Sequence, residues 1–336
     1  MAAYKICRLI RKFKLIYDFR MTSIDVPTKL TRRSGHTFKR NSLMRLSASV
    51  LLRIAAGISL GLSLATAPAA QSPLKILTAS VSQIEERLKG RVGIALVDTG
   101  TGKVWFHRAN EKFLMNSTVK TPVCGAVLAR SDARELSLSE QLPVRESDLL
   151  SYAPVTKEHA GGTMTIADLC LAALDWSDNT AANLLISRLG GPDEVTNFFR
   201  SIGDTVSRLD RYEPELNAFA PDSPLDTTTP AAMAETLRAL LVGNALSVSS
   251  RNLLAEWMSH GNVTSTLLRN KAPATWAFSD KSGAGSHTRN IIALVTPEGR
   301  APWVAAIYIS DTDADFAARN TALKELSAAV VNVMRN

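Results

Sequence analysis

Beyond residue 70, strand-like runs rich in Val, Ile and aromatic residues stand only near the two ends of the chain. From about 117 to 257 nearly every segment between them is helical in pattern. Near the start, "RVGIALVDTGTGKVWFHR" reads as two strands joined by a turn at Asp98–Gly102. Near the end, "TWAFSDKSG", "RNIIALVTPEG" and "APWVAAIYIS" read as three more, the last two joined at Pro-Glu-Gly. An amphipathic helix flanks each group. The first carries Leu74, Ile76, Leu77, Val81, Ile84 and Leu88 near one stripe, with Gly90 as its stop; the second is "DADFAARNTALKELSAAVVNVM". Inside the helical region, Thr165 caps a helix running through Cys170, Pro192-Asp-Glu opens another, and Thr229-Pro230 starts a third. Sequential strands with short connections predict an antiparallel sheet, and the helical stretch must be inserted between its halves. The predicted fold is α/β: an antiparallel sheet flanked by helices, an α/β sandwich, with an inserted all-helical lobe. The sandwich takes about 71–108 and 262–336, and the lobe about 109–261.

Residues 44–70, "MRLSASVLLRIAAGISLGLSLATAPAA", run from basic residues through an apolar core to small residues. That is the layout of a secretory signal peptide, with cleavage expected near Ala69 or Ala70. Arg53 interrupts the apolar run, which argues against a membrane anchor in the mature form, and no cysteine stands near the cut for lipid attachment. Residues 1–43 are basic and aperiodic, and read as an extended leader or an unused upstream start, since Met21 and Met44 are both possible initiators. Removing residues 1–69 takes away 13 Lys/Arg and 2 Asp/Glu, which leaves 26 basic against 29 acidic residues in 267, a net charge of −3. The full chain's +8 therefore belongs to the leader and gives no support to nucleic-acid binding. A periplasmic or secreted location is expected. Of the three cysteines, Cys7 leaves with the leader; Cys124 and Cys170 remain, and an exported pair permits a disulfide or two buried thiols.

Three short stretches carry candidate chemistry. In "MNSTVK", Ser117 precedes Lys120 by one helical turn in apolar surroundings, so the lysine can share a face with the hydroxyl. A serine at a helix start also meets free backbone N–H groups, which suit an oxyanion. The same S-x-x-K pattern recurs in "SPLK" at 72–75 with no chemistry around it, so the pair alone decides nothing. In "WSDNTAANLL", Ser177-Asp178-Asn179 falls at a helix break, where such residues cap, or where Ser177 could relay a proton and Asn179 clamp a carbonyl. In "DKSGAGS", Lys281-Ser282-Gly283 lies in a predicted edge strand, where Gly283 and Gly285 allow close approach of a ligand. Each is weak alone. All three in this order in one exported chain are specific.

In these motifs the sequence resembles the class A β-lactamases, penicillin-recognising serine enzymes, over residues 73–336. "RYEPELN" is similar to that family's omega loop. The resemblance implies Glu213 as the water-activating carboxylate, Asn217 as its partner, and Arg211–Asp226 as the salt bridge closing the loop. It also implies Ser117 as the nucleophile, Lys120 or Glu213 as the acylation base, and Ser177 with Lys281 as the proton route to the leaving nitrogen. Tyr152 then stands at the cleft mouth, Asn179, Ser282, Gly283 and Ala284 contact substrate, and Arg289 binds its carboxylate. Cys124 and Cys170 match a pair bridged in many members. The substrate implied is a small-molecule β-lactam, hydrolysed by a monomer with neither metal nor organic cofactor. Asn116 stands where several carbapenem-hydrolysing members have cysteine, and "SHT" after Gly285 is one residue shorter than usual, which leaves Ser286 and His287 without a role. Asn116, Gly285 and Arg289 point to penicillins and early cephalosporins.

Overall fold

The computed structural model describes residues 71–336; the expected leader, 1–43 with the signal segment 44–70, lies outside the described residues. Helix α1 (Pro73–Leu88) starts as its sequence demands, with the Ser72 side chain accepting from Lys75 N and proline at the first position. Lys89, left-handed at φ 50°, closes it one residue before Gly90. Strands β1 (Arg91–Asp98) and β2 (Val104–His107) form the hairpin expected around Asp98, whose carboxylate accepts the Gly100 N–H at 2.9 Å.

The lobe then opens with β3 (Phe113–Leu114) and α2 (Lys120–Asp132), followed by β4 (Gln141–Pro143), β5 (Thr163–Thr165) and α3 (Ile166–Asp175). Helices α4 (Asn179–Leu189) and α5 (Pro192–Ser201), strand β6 (Thr227–Thr228), and helices α6 (Pro230–Leu241) and α7 (Val248–Trp257) complete it. Two ribbons, β3 with β6 and β4 with β5, interrupt a region whose sequence reads as almost wholly helical. At two or three residues per strand, they are too short to print a period of two. The caps Thr165 and Thr229 act as expected, accepting from Asp168 N and Ala232 N.

Strands β7 (Ala277–Ala284), β8 (Arg289–Thr296) and β9 (Trp303–Ser310) return to the first sheet, and α8 (Phe316–Arg335) closes the chain. The five-stranded sheet has the order β2-β1-β9-β8-β7, antiparallel throughout, so β7 is an edge strand. Register sets Ile94 against Ile307 and Ile307 against Ile291. On that face Leu77, Val81 and Ile84 of α1 and Leu323, Leu326 and Val330 of α8 bury the sheet. The opposite residues, Ala95, Ile292, Val304, Ala306 and Tyr308, pack into the lobe's core. Both faces of β8 and β9 are therefore covered, which is why Ile291–Val295 and Trp303–Ile309 are unbroken apolar runs. Gly93 makes the junction possible: an added Cβ would lie 2.5 Å from the Phe113 ring and 2.7 Å from Pro230 Cγ.

Cys124 on α2 and Cys170 on α3 do meet in the lobe's core, but as two buried thiols rather than the expected bridge. The Cys124 thiol donates to the Cys170 carbonyl at 3.8 Å, and burial pushes the Cys170 thiol well above its ordinary range.

Candidate active site

The stretch that carries Ser117 folds as a 3-10 turn, Asn116–Val119, and α2 proper begins only at Lys120. The turn lies against the edge strand so closely that a Cβ on Gly283 would sit 2.9 Å from Met115 O and 3.2 Å from Ser117 N. Gly283 thus accommodates the protein's own nucleophile turn on one side while its backbone lines the cleft. Gly285 N–H bonds Thr288 O across the β7–β8 turn, and strand alternation turns the Ala284 N–H the other way, to the open edge.

Lys120 is fully buried, and its partners differ from the one its spacing suggests. Its Nζ donates to Ser177 O at 2.7 Å and Asn179 Oδ1 at 2.6 Å, with Ser177 Oγ at 3.4 Å. Glu213 Oε1 lies 3.1 Å away, in charge contact but without an aligned hydrogen bond, and is otherwise an unpartnered buried oxygen. The other carboxylate oxygen accepts from Asn217 Nδ2. Burial lowers the proton affinity of Lys120, and the Glu213 charge opposes that shift.

Ser177-Asp178-Asn179 caps a helix as its sequence allows, and the same cap fixes the two flanking residues at the cleft. Asp178 caps α4 through Ala181 N and, fully buried, also accepts from Val155 N, Thr156 N and the Thr156 hydroxyl. It thereby holds Ser177, left-handed at φ 60°, and Asn179 at the cleft wall. Lys281, also fully buried, donates to Ser177 Oγ at 3.0 Å and to Ser282 O at 2.8 Å. Burial, then the charges of Lys120 and Arg289, push its amine well below the usual lysine range. Arg289 reaches across β7 from β8, donating to Gly283 O and Asn320 Oδ1; burial and Arg319 lower it to about 10.

These residues enclose a cleft of about 370 Å³ lined by Ser117, Tyr152, Ser177, Asn179, Asn217, Ser282, Gly283, Ala284 and Arg289. Every residue expected to bind substrate is on its wall. Lys120, Glu213 and Lys281 sit just beneath it, so the floor carries two lysines and one carboxylate, with Arg289 at one end. Such a site favours a small anionic ligand. Tyr152, nearly half exposed, donates its hydroxyl to Trp176 O at 3.2 Å at the mouth. The omega loop is closed as expected, Arg211 Nε reaching Asp226 Oδ2 at 2.5 Å.

The fold and cleft have known counterparts. A model of the beta-lactamase enzyme family matches residues 76–334. A curated beta-lactamase from Rhodobacter capsulatus is 61% identical over 292 residues, spanning 87% of this chain and all of that protein. Among solved structures, a beta lactamase from Xanthomonas campestris pv. campestris is 44% identical, with a TM-score of 0.76 over 78% of this chain and 99% of that one. A class A beta-lactamase of the last common ancestor of Gram-negative bacteria is 46% identical, with a TM-score of 0.75 over 77% of this chain and 99% of that one. The chain belongs to the class A β-lactamases.

Three features of this class A β-lactamase escaped the sequence reading. Asn183 clamps the loop at Glu213 from both sides, accepting its N–H at 2.9 Å and donating to its carbonyl at 2.8 Å. Its place four residues after Asn179, on the same helical face, is a signal that could have found it. Val263 and Phe316 also line the cleft, with Phe316 under the Arg289 guanidinium at 5.4 Å. The two residues left without a role lie off the wall. Ser286 is exposed, and the His287 ring packs on Phe219 of the omega loop, centroids 4.6 Å apart. No helix among the described residues is long and apolar enough to cross a membrane.

Proposed function

We propose that this class A β-lactamase opens the lactam ring of penicillins and early cephalosporins through an acyl ester on Ser117, and so confers resistance to them. The observation that carries the reading is Glu213 Oε1, buried 3.1 Å from Lys120 Nζ and with no other protein partner, at the floor of the cleft that Ser117 lines. A hydrolase needs such an oxygen to take a proton from water. A protein that merely binds β-lactams does not.

In this reading Ser117 Oγ adds to the lactam carbonyl, and its proton passes to Lys120 or, through a water, to Glu213. The N–H groups of Ser117 and Ala284 stabilise the oxyanion. The C–N bond breaks as Ser177 protonates the ring nitrogen, and Lys281 resupplies the serine through their 3.0 Å hydrogen bond. The proton taken from Ser117 returns by way of Lys120, also in reach of Ser177 Oγ, so that Glu213 is again a carboxylate. Glu213 then takes a proton from water, hydroxide adds to the ester, and Ser117 leaves with its proton restored. Asn179 and Tyr152 hold the side-chain end of the substrate, and Ser282 with Arg289 its carboxylate. The protein acts as a monomer in the periplasm or outside the cell, after cleavage near Ala69 or Ala70. There the two thiols of the structure, Cys124 and Cys170, give two electrons and two protons to a disulfide-donating oxidant of that compartment and form a bridge.

Glu213→Gln tests the reading directly. The variant should acylate with benzylpenicillin and then stall, seen by mass spectrometry as a persistent adduct on the Ser117 peptide. Wild-type turnover would refute the role of Glu213. An unchanged acylation rate would leave Lys120 as the acylation base. For the substrate range, specificity constants for benzylpenicillin, cefotaxime and imipenem should fall in favour of the penicillin, and a preference for imipenem would overturn that part.

A further inference from the structure

Asn116, directly before Ser117, is fully buried and left-handed at φ 49°. Its side chain joins three segments remote in sequence. Nδ2 donates to Asn217 Oδ1 at 2.9 Å, while Oδ1 accepts from Thr288 Oγ1 at 2.7 Å and Asn290 Nδ2 at 3.0 Å. The direction of every amide in this chain follows from one end. Asn290 Nδ2 also lies 2.9 Å from Leu114 O and 3.2 Å from Met115 O, and carbonyls only accept, so that atom must be the nitrogen. Asn116 therefore turns its oxygen toward Asn290 and its nitrogen toward Asn217. Asn217 must meet that donor with Oδ1, which leaves Nδ2 for Glu213 Oε2. An oriented chain thus runs from the two carbonyls just before the nucleophile turn to the carboxylate on the omega loop. It leaves Asn290 Oδ1 buried without a partner, so packing alone does not account for an amide at that position.

We propose that Asn116 is a positioning residue for deacylation: it locks the Asn217 amide so that an N–H always faces Glu213 Oε2, which reserves Oε1 for the water proton. This rests on Glu213 being the deacylating base. Besides Asn217, the charge facing Glu213 at contact distance is Lys120, and Lys281 adds a second positive charge nearby.

The test uses the mature enzyme with benzylpenicillin, measuring acylation and deacylation separately by stopped flow and by mass spectrometry of the Ser117 peptide. Asn116→Asp keeps the size, the left-handed preference and the acceptor toward Thr288 and Asn290, but sets a carboxylate oxygen against Asn217 Oδ1. Asn217 must then turn its amide and present oxygen to Glu213 Oε2, and two acceptors in contact favour protonated Glu213. Deacylation should slow about 10- to 100-fold, while acylation stays within about threefold. Because protonation of the base is favoured, the acidic limb of the kcat profile should move to higher pH. A residue that only supports the fold would slow both steps together and leave that limb in place. Asn116→Gly tolerates the same backbone and removes donor and acceptor alike without misdirecting Asn217, so its deacylation should fall less. If the aspartate variant does not fold, the glycine variant decides. If both deacylate like wild type while Glu213→Gln stalls, the inference is overturned and the role of Glu213 stands. If Glu213→Gln also turns over normally, both fall together.

Discussion

Asp178 offers the sharpest structural prediction, because every acceptor position on its carboxylate is used. Oδ2 accepts from Val155 N at 3.0 Å and Thr156 N at 2.9 Å, and Oδ1 accepts from Ala181 N and the Thr156 hydroxyl, each at 2.9 Å. In Asp178→Asn one oxygen becomes a donor. The cheaper orientation puts the new NH2 at Oδ1, where the Thr156 hydroxyl can turn to accept but the Ala181 N–H is left buried and unpaired. An orphaned buried donor costs about 1–3 kcal/mol. The two remaining bonds lose their charge assistance, about 1 kcal/mol each. Relief from burying a carboxylate offsets part of this, and the net is about 3 kcal/mol. For a domain of this size that corresponds to a fall in Tm of roughly 6–12 °C. Thermal unfolding followed by circular dichroism measures it. Activity should fall further than stability alone explains, since Ser177 and Asn179 flank Asp178 and both hold Lys120. A variant melting within about 2 °C of wild type would refute the reasoning, because the pocket would then have tolerated a donor facing a donor.

Lys281→Met should raise stability by about 1–3 kcal/mol while abolishing turnover, since it removes a buried amine beside two other cations. The folded-state pKa of Lys281 lies below its ordinary value, so wild type gains stability as pH rises toward 10.5; the advantage of the variant should shrink over that range, and a widening gap in denaturant midpoints would refute it. Gly283→Ala should push the Asn116–Val119 turn away from β7 and lower kcat/KM about 100-fold, read by steady-state kinetics; activity near wild type would mean the turn can yield. Enzyme recovered from the periplasm should show no free thiol on unfolding. Closing 46 residues between Cys124 and Cys170 should add about 4 kcal/mol in an ideal chain-entropy treatment, and two titratable thiols would refute the bridge.

Much of this protein is local and therefore legible without its structure. The caps Ser72, Thr165 and Thr229 satisfy N–H groups three residues away, so helix starts can be read from a few side chains. The strands near the chain's end advertise themselves because β8 and β9 are buried on both faces, which makes Ile291–Val295 and Trp303–Ile309 unbroken apolar runs. The edge position of β7 agrees with the glycines at the end of its run, Gly283 and Gly285. The three motifs with "RYEPELN" supplied Ser117, Ser177, Asn179, Asn217, Ser282 and Gly283 of the cleft wall, and the family resemblance added Tyr152, Ala284 and Arg289, while Val263 and Phe316 carry no such signal. What the motifs could not name was who touches whom. Spacing put Lys120 beside Ser117, yet its bonds run to Ser177 and Asn179, 57 and 59 residues on, because α2, α4 and the omega loop converge on its amine. Gly283, expected beside a ligand, also makes room for the nucleophile turn, which its sequence did not announce. Asn116 reads as an ordinary neighbour of a serine until Thr288 and Asn290, 172 and 174 residues later at the start of β8, fix its amide. Hydrogen-bond direction across such distances depends on which elements pack together, and only the tertiary structure decides that.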